Sequence, residues 1–204
     1  MSYIYLDTET TDFNPGQICE LSMIEEDSTT NKLIGCHNYF FKVDEMSDGA
    51  ESVHGFSIEK LEELSGGKRF QDHYEEILKI LQGNCIVAHN EAFDEKFIST
   101  ELWRCGVSFT PASRQCTMKA FKPIIQLPAK YKKYGPYKNP KVSEVMGYLN
   151  ISEESIDNYS KKLFNYTGSG FHDSRFDTTA IYVAVNVYRE KLHGGNSWQQ
   201  LFCK

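Results

Sequence analysis

The stretch Tyr3-Ile4-Tyr5-Leu6-Asp7-Thr8-Glu9-Thr10-Thr11 opens as an apolar, β-favouring run and passes into two acids separated by one residue. Tyr3 to Leu6 reads as a buried strand, because consecutive apolar residues suit a strand covered on both faces. Side chains alternate along a strand, so Asp7 and Glu9 project from the same face near its carboxyl end. Two carboxylates side by side repel each other and are comfortable only in solvent or bridged by a cation. An oxygen-only ligand set suits magnesium or manganese. Taken alone, the acid pair is equally a solvated strand end.

Working outward, Ile18 to Glu26 and Leu33 to Lys42 read as two further strands, and the polar turn Asp27 to Asn31 joins them as a hairpin. A helix opens at Ser57, a good N-cap, and stops at Gly66-Gly67. A second helix is expected over about 70–81, with Ile77, Leu78 and Leu81 at helical spacing and Gly83-Asn84 behind it. Cys85 to Ala88 is another buried strand, Glu91 to Cys105 a helix, and Arg114 to Met118 a short fifth strand. Pro123 to Pro140 reads as a long loop, Val142 to Leu149 as a short helix, and about 173–192 as the last long helix. A three-strand meander followed by alternating strands and helices predicts an α/β fold, a mixed sheet of about five strands flanked by helices. Residues 1–192 form one expected domain, and 193–204, which opens with His193-Gly194-Gly195, form a tail.

Two more segments carry chemistry. His89-Asn90-Glu91-Ala92-Phe93-Asp94 sits where a buried strand hands over to a helix. Ligands bind at such carboxyl ends of strands in open α/β sheets. Phe93 and Phe97, four apart, are expected in the core, which leaves Asp94 to point into the crevice. The competing assignment is a first-turn carboxylate that stabilises the helix dipole. The other segment is His172-Asp173-Ser174-Arg175-Phe176-Asp177. His172 and Asp177 would lie roughly 140° apart on one helix. They would not share a face, so His172 is expected on the loop just before the helix and Asp177 in its first turns. Otherwise His172 is a capping or surface histidine.

The bulk numbers narrow the class. The 204 residues are 40% hydrophobic, 25% charged and 13% aromatic, which suits one globular domain with a sizeable core. No apolar run approaches the roughly 18 residues that span a bilayer, so no membrane partner is expected. Met1-Ser2-Tyr3-Ile4 shows no basic region ahead of an apolar segment. The six scattered cysteines include no C-x-x-C pair, and reduced thiols in a cytoplasm are expected. Cys85 and His89, four apart, make a poor zinc pair. The net charge of −6 argues against a broad non-specific nucleic-acid surface. It is compatible with a nucleic-acid enzyme whose acidic site awaits metal.

Together, Asp-x-Glu, His-Asn-x-x-Phe-Asp and His-x-x-x-x-Asp, in that order, resemble the DEDD exonuclease superfamily. The histidine five residues before the last aspartate places the resemblance in the DEDDh, or DnaQ-like, branch. That branch includes the proofreading epsilon subunit of DNA polymerase, ribonuclease T and oligoribonuclease. Val53-His54-Gly55-Phe56-Ser57 and Val142-Ser143-Glu144-Val145 extend it, so it covers about residues 3 to 190. The resemblance implies an RNase H-like fold and a 3′→5′ exonuclease acting on DNA or RNA. It implies that Asp7, Glu9, Asp94 and Asp177 hold two Mg2+ ions, with Mn2+ able to substitute, and that His172 is the general base. Thr10 would contact the terminal nucleotide, and Asn90 is carried into the substrate-binding set with the second motif. The position of His54 suggests either substrate contact or packing. Asp12 departs from the glycine that many relatives carry after Thr-Thr.

Two segments stay open. The loop 130–138 interleaves Lys130, Lys132 and Lys133 with tyrosines, so it either tracks a single-stranded 3′ end with cations and rings or is a solvated surface loop. In the tail, Trp198-Gln199-Gln200-Leu201-Phe202 either packs back on the core or docks on a partner such as a sliding clamp or polymerase. The motifs leave DNA and RNA undistinguished, because recognition of the 2′-hydroxyl depends on pocket shape.

Overall fold

The computed structural model describes residues 1–13, 16–131, 135–167 and 172–193, the last three as backbone. Five strands, β1 (Ser2–Thr10), β2 (Ile18–Asp27), β3 (Leu33–Phe40), β4 (Cys85–Ala88) and β5 (Ser113–Cys116), form one sheet in the order β3-β2-β1-β4-β5. β1–β2 and β2–β3 pair antiparallel, whereas β4 joins β1 in parallel and β5 joins β4 in parallel. β1 runs well past Leu6 because β2 pairs with it along its length, down to Glu9 opposite Glu20. The acids are therefore part of the strand rather than of a loop after it.

Alternation along β1 builds two cores. Ile4 and Leu6 face α3 (Tyr74–Leu81) and α4 (Glu91–Arg104), packing with Ile77, Leu81, Phe97 and Leu102. Tyr3 and Tyr5 face the opposite layer, where Ile181, Tyr182 and Val185 of α8 (Ser174–His193) cover them. Each such fully buried aliphatic side chain contributes roughly 2 kcal/mol. The remaining helices are α1 (Asp48–His54), α2 (Ile58–Ser65), α5 (Thr117–Ile125), α6 (Val142–Leu149) and α7 (Glu153–Phe164). Ser57 caps α2 through its side chain and Gly66 ends it in the left-handed region, as expected.

Several elements depart from the sequence-based reading. Helix α1 buries no side chain, so it has no apolar periodicity to betray it; Ser47 caps it and Gly55, at φ 76°, closes it. The helix expected over 70–81 splits into a 3-10 turn, Phe70–Asp72, and α3. Met118 belongs to helix α5 rather than to β5, and α5 carries Pro123 internally, so the expected loop begins only after Ile125. Phe121, buried at that helix, supplies the packing. Helix α7, capped by Ser152, buries only Ile156 and Ser160. The loop itself folds back through a bridge between Pro128 and Tyr137. Phe97 is in the core as expected, but Phe93 is only partly covered. Five cysteines, Cys19, Cys36, Cys85, Cys105 and Cys116, are free thiols. Lys132, Lys133, Cys203 and the tail from residue 194 lie outside the described residues. No described helix is long and apolar enough to cross a membrane.

α8 lies along β2 in matched steps. Two strand residues advance about 6.6 Å and four helix residues about 6 Å, so Glu20, Ser22, Ile24 and Glu26 meet successive turns of α8. Ser22 reaches Ser174 (Oγ–Oγ 2.7 Å), and its carbonyl accepts from Thr178 Oγ1 at 3.3 Å. Glu26 pairs with Arg189 at 2.8 Å, both buried. This seam sets the height of α8 over β1.

Candidate active site

Asp7 and Glu9 share the face of β1 that carries Tyr3 and Tyr5, beneath the amino end of α8. That helix begins at Ser174, and Asp177 stands in its first turn. His172 lies on the approach to the helix at φ 67°, and its backbone N–H donates to Asp177 Oδ2 at 2.9 Å. The left-handed backbone at His172 carries a steric cost for a residue with a Cβ, and this hydrogen bond helps to hold it. One ligand atom each from Glu9, His172 and Asp177 falls within 4.8 Å of the others; the two acids are buried and the histidine is exposed. His172 precedes the helix and Asp177 lies inside it, as their spacing predicts.

Asp94 arrives from the first turn of α4, at the carboxyl end of β4, and is 3% exposed. Its Oδ1 accepts from Thr8 N–H at 3.1 Å and from Thr8 Oγ1 at 2.8 Å. Thr8 points away from the face of Asp7 and Glu9, toward α4, so it stitches Asp94 to β1 between the two strand acids. Among the described residues, Asp7 and Asp94 stand outside the tight set of Glu9, His172 and Asp177. They adjoin it electrostatically, since Asp94, Asp177 and Glu9 all raise the pKa of Asp7.

Every one of these acids is pushed upward. Burial is the first cause each time. Glu9 is raised to about 9, with Asp177 and Glu20 adding repulsion. Asp94 is raised to about 7, against two opposing Thr8 hydrogen bonds. Asp177 is raised to about 7, with the His172 amide opposing. Asp7 lies well above its ordinary value. Like charges gathered in a low-dielectric pocket resist ionisation, and a divalent cation reverses that balance. Carboxylate oxygens fit such an ion, and the His172 imidazole stands exposed at the rim beside them.

The other sequence-derived candidates divide. Thr10 is buried beside Glu9, its hydroxyl donating to the Asp12 carbonyl at 3.1 Å. His54, the last residue of α1, accepts from Phe56 N–H at 3.0 Å and stacks on Phe56. Burial lowers its pKa, a hydrogen bond with the Thr10 backbone opposes this, and the charge of His172 adds to the lowering, so His54 borders the cluster. Asn90 is exposed at φ 79° ahead of α4, with no capping hydrogen bond from its side chain. Lys130 is exposed in the folded-back loop, with Nζ 5.5 Å from the Tyr131 ring centroid. His89 is a packing residue: Nε2 meets the Pro140 carbonyl at 2.8 Å and Nδ1 the Thr117 hydroxyl at 3.0 Å. Both ring nitrogens are therefore taken, which leaves none for zinc with Cys85. The sequence motifs give no role to two residues beside the acids, Thr8 and the buried Glu20. The hairpin register could have found Glu20, because it sits directly opposite Glu9.

An RNase H-like mixed sheet with four acids and a histidine gathered at the carboxyl end of its central strand defines a DEDDh-type nuclease. The sequence model of the exonuclease family represented by ribonuclease T matches residues 4–182, and the chain belongs to that family of hydrolases. Among curated proteins, it is 32% identical over 105 residues to DNA polymerase III subunit epsilon of Rickettsia felis, covering 48% of this chain and 43% of that one. It is also 32% identical over 93 residues to the 3′-5′ exonuclease DinG of Staphylococcus saprophyticus, covering 45% of this chain and 10% of the relative. The match thus spans less than half the length of these curated relatives. A zinc-bound E. coli exonuclease I complex with single-stranded DNA shares the fold, with a TM-score of 0.71 at 15% identity over 99% of this chain and 42% of that one.

Proposed function

We propose that this chain is a divalent-metal-dependent 3′→5′ exonuclease that removes nucleotides one at a time from a single-stranded DNA or RNA end. The observation that carries the reading is the convergence of Glu9, Asp177 and His172, beside Asp7 and Asp94, in a pocket that raises every acid in it. Such a cluster is costly to fold unless it serves a cation.

Asp7, Glu9, Asp94 and Asp177 would hold two Mg2+ ions, and Mn2+ could replace them. A bound pair supplies charge stabilisation for both the entering and the leaving oxygen of the phosphodiester. His172 is the one exposed member of the tight set, so its ring can reach solvent and accept the proton of the attacking water. Its backbone N–H, tied to Asp177, holds the ring at the rim. Thr10 and His54 flank the strand end where the terminal nucleotide would lie. Asn90, Lys130, Lys132 and Lys133 extend the proposed contact along the strand. Residues 1–192 form the exonuclease domain and 193–204 the tail. The exonuclease I likeness supports a single-stranded substrate, and the epsilon likeness supports association with a polymerase.

A time course with end-labelled single-stranded DNA, single-stranded RNA and duplex DNA, with Mg2+ or with EDTA, tests the reading. Stepwise release of mononucleotides from the 3′ end in Mg2+ alone supports it. Internal fragments point to an endonuclease, and no cleavage in any condition rejects it.

A further inference from the structure

We infer that Glu20, a buried carboxylate on β2, is a positioning residue that seats the amino end of α8 and thereby holds His172 and Asp177 over Glu9. The inference rests on the proposed exonuclease reading for its kinetic consequence, but not for its geometry. Glu20 is fully buried and lies directly across the strand pair from Glu9. A buried acid needs partners, and Glu20 has three. Ser174 N–H, the first amide of α8, donates to its Oε2 at 3.0 Å. Asn38 Nδ2 donates to Oε1 at 2.9 Å, and Arg175 Nε stands 3.3 Å from the same oxygen.

These contacts close on the site. Arg175 also grips Asp173 with two nitrogens, at 2.9 and 2.7 Å, and its guanidinium lies over the rings of Tyr166 (3.7 Å) and Phe40 (5.1 Å). Asp177 N–H donates to the Asp173 carbonyl at 3.0 Å, and His172 N–H donates to the Asp177 side chain. Residues 172–177 are thus one hydrogen-bonded turn that Glu20 joins to the strand pair carrying Glu9. A shift of about 1 Å in such a turn is enough to cost on the order of 10²-fold in rate.

All three groups that converge on Glu20 are N–H donors, so only an acceptor-only side chain satisfies them. In Glu20→Gln one amide orientation sets its NH2 against Ser174 N–H, and the other sets it against Asn38 and Arg175. The substitution keeps the volume and breaks the anchor. Glu26 gives the control. It sits on the same strand, is equally buried, and binds Arg189 and Asn186 at the far end of the same helix. A role confined to stability treats the two alike.

The test compares the full-length wild type, Glu20→Gln and Glu26→Gln at saturating Mg2+ and about pH 8, below the melting point of each. The substrate is an end-labelled single-stranded oligonucleotide, and amide hydrogen exchange is followed in parallel. We expect Glu20→Gln to lose about 10- to 100-fold in kcat with KM within about two-fold, and to exchange faster at 174–177. Glu26→Gln keeps wild-type kcat. Equal kcat in wild type and Glu20→Gln, or an equal loss in both variants, overturns the inference. An inactive wild type rejects the exonuclease reading instead, and the exchange at 174–177 still decides the anchor. If Glu20→Gln does not fold, Arg175→Lys, which cannot hold Asp173 and Glu20 together, must show the same split between kcat and KM, and its absence overturns the proposal.

Discussion

Replacing Asp94 with Asn makes the electrostatic cost of the acid cluster measurable without any substrate. Asp94 is a clean probe because burial leads the causes that raise it from 3.8 to about 7 and the repulsion from Glu91 comes last among them. Asn keeps an Oδ1 that accepts from Thr8 N–H and Oγ1, so the stitch to β1 survives. A carboxyl raised in the fold stabilises below its unfolded value and loses that contribution as pH rises through its folded value. Metal-free wild type therefore loses stability relative to Asp94→Asn between about pH 4 and 7, and the gap is constant above that. The pKa difference corresponds to about 4 kcal/mol, or on the order of 10 °C in melting temperature for a chain of this size. Half-buried His54 and His89, whose values are lowered, change stability in the opposite sense, but both proteins contain them and the difference cancels them. The assay is thermal unfolding in EDTA across about pH 4.5 to 8, repeated at saturating Mg2+. We expect the advantage of Asp94→Asn to grow with pH in EDTA and to shrink or reverse in Mg2+, where the wild type gains a ligand that the variant lacks. A melting difference that does not change with pH in EDTA would refute the argument that burial of this carboxyl strains the metal-free protein.

Four further outcomes follow from the proposed function. EDTA-treated protein should have no nuclease activity, and Mg2+ or Mn2+ should restore it; full activity in the chelator removes the two-metal reading. Asp7→Asn should lower kcat on the order of 10²-fold and raise the metal-free melting temperature, since Asp94, Asp177 and Glu9 all oppose the Asp7 charge; wild-type turnover excludes Asp7 as a ligand. His172→Ala should lose about 10²- to 10⁴-fold in rate while metal titration by calorimetry stays near wild type; near-normal turnover shows that His172 is not the base. Replacing Lys130, Lys132 and Lys133 together should flatten the salt dependence of binding more than it lowers turnover, and an unchanged slope returns that loop to solvent.

The legible parts of the fold were those that repeat a simple pattern. β1, β2, β4, α2 and α4 carry continuous or periodic apolar residues, and each lies close to where that pattern puts it. Helices α1, α5 and α7 escaped because their evidence is sparse: α1 buries nothing, α5 contains Pro123, and α7 buries two residues. Such helices are held by caps and by neighbours that a local window does not contain.

What the sequence by itself determined is the order and spacing of the chemistry. Alternation put Asp7 and Glu9 on one face, and the five-residue gap placed His172 ahead of the helix that carries Asp177. Both conclusions follow from the geometry of a single element. What the tertiary structure alone decided is how these acids are held. Thr8 reaches Asp94 across 86 residues, and Glu20 reaches the Ser174 amide across 154. The tight set gathers Glu9, His172 and Asp177, with Asp7 and Asp94 beside it. The physical reason is that local periodicity fixes the direction of a side chain. Its burial, and the partners that make burial tolerable, come from the packing of α4 and α8 on opposite faces of one sheet.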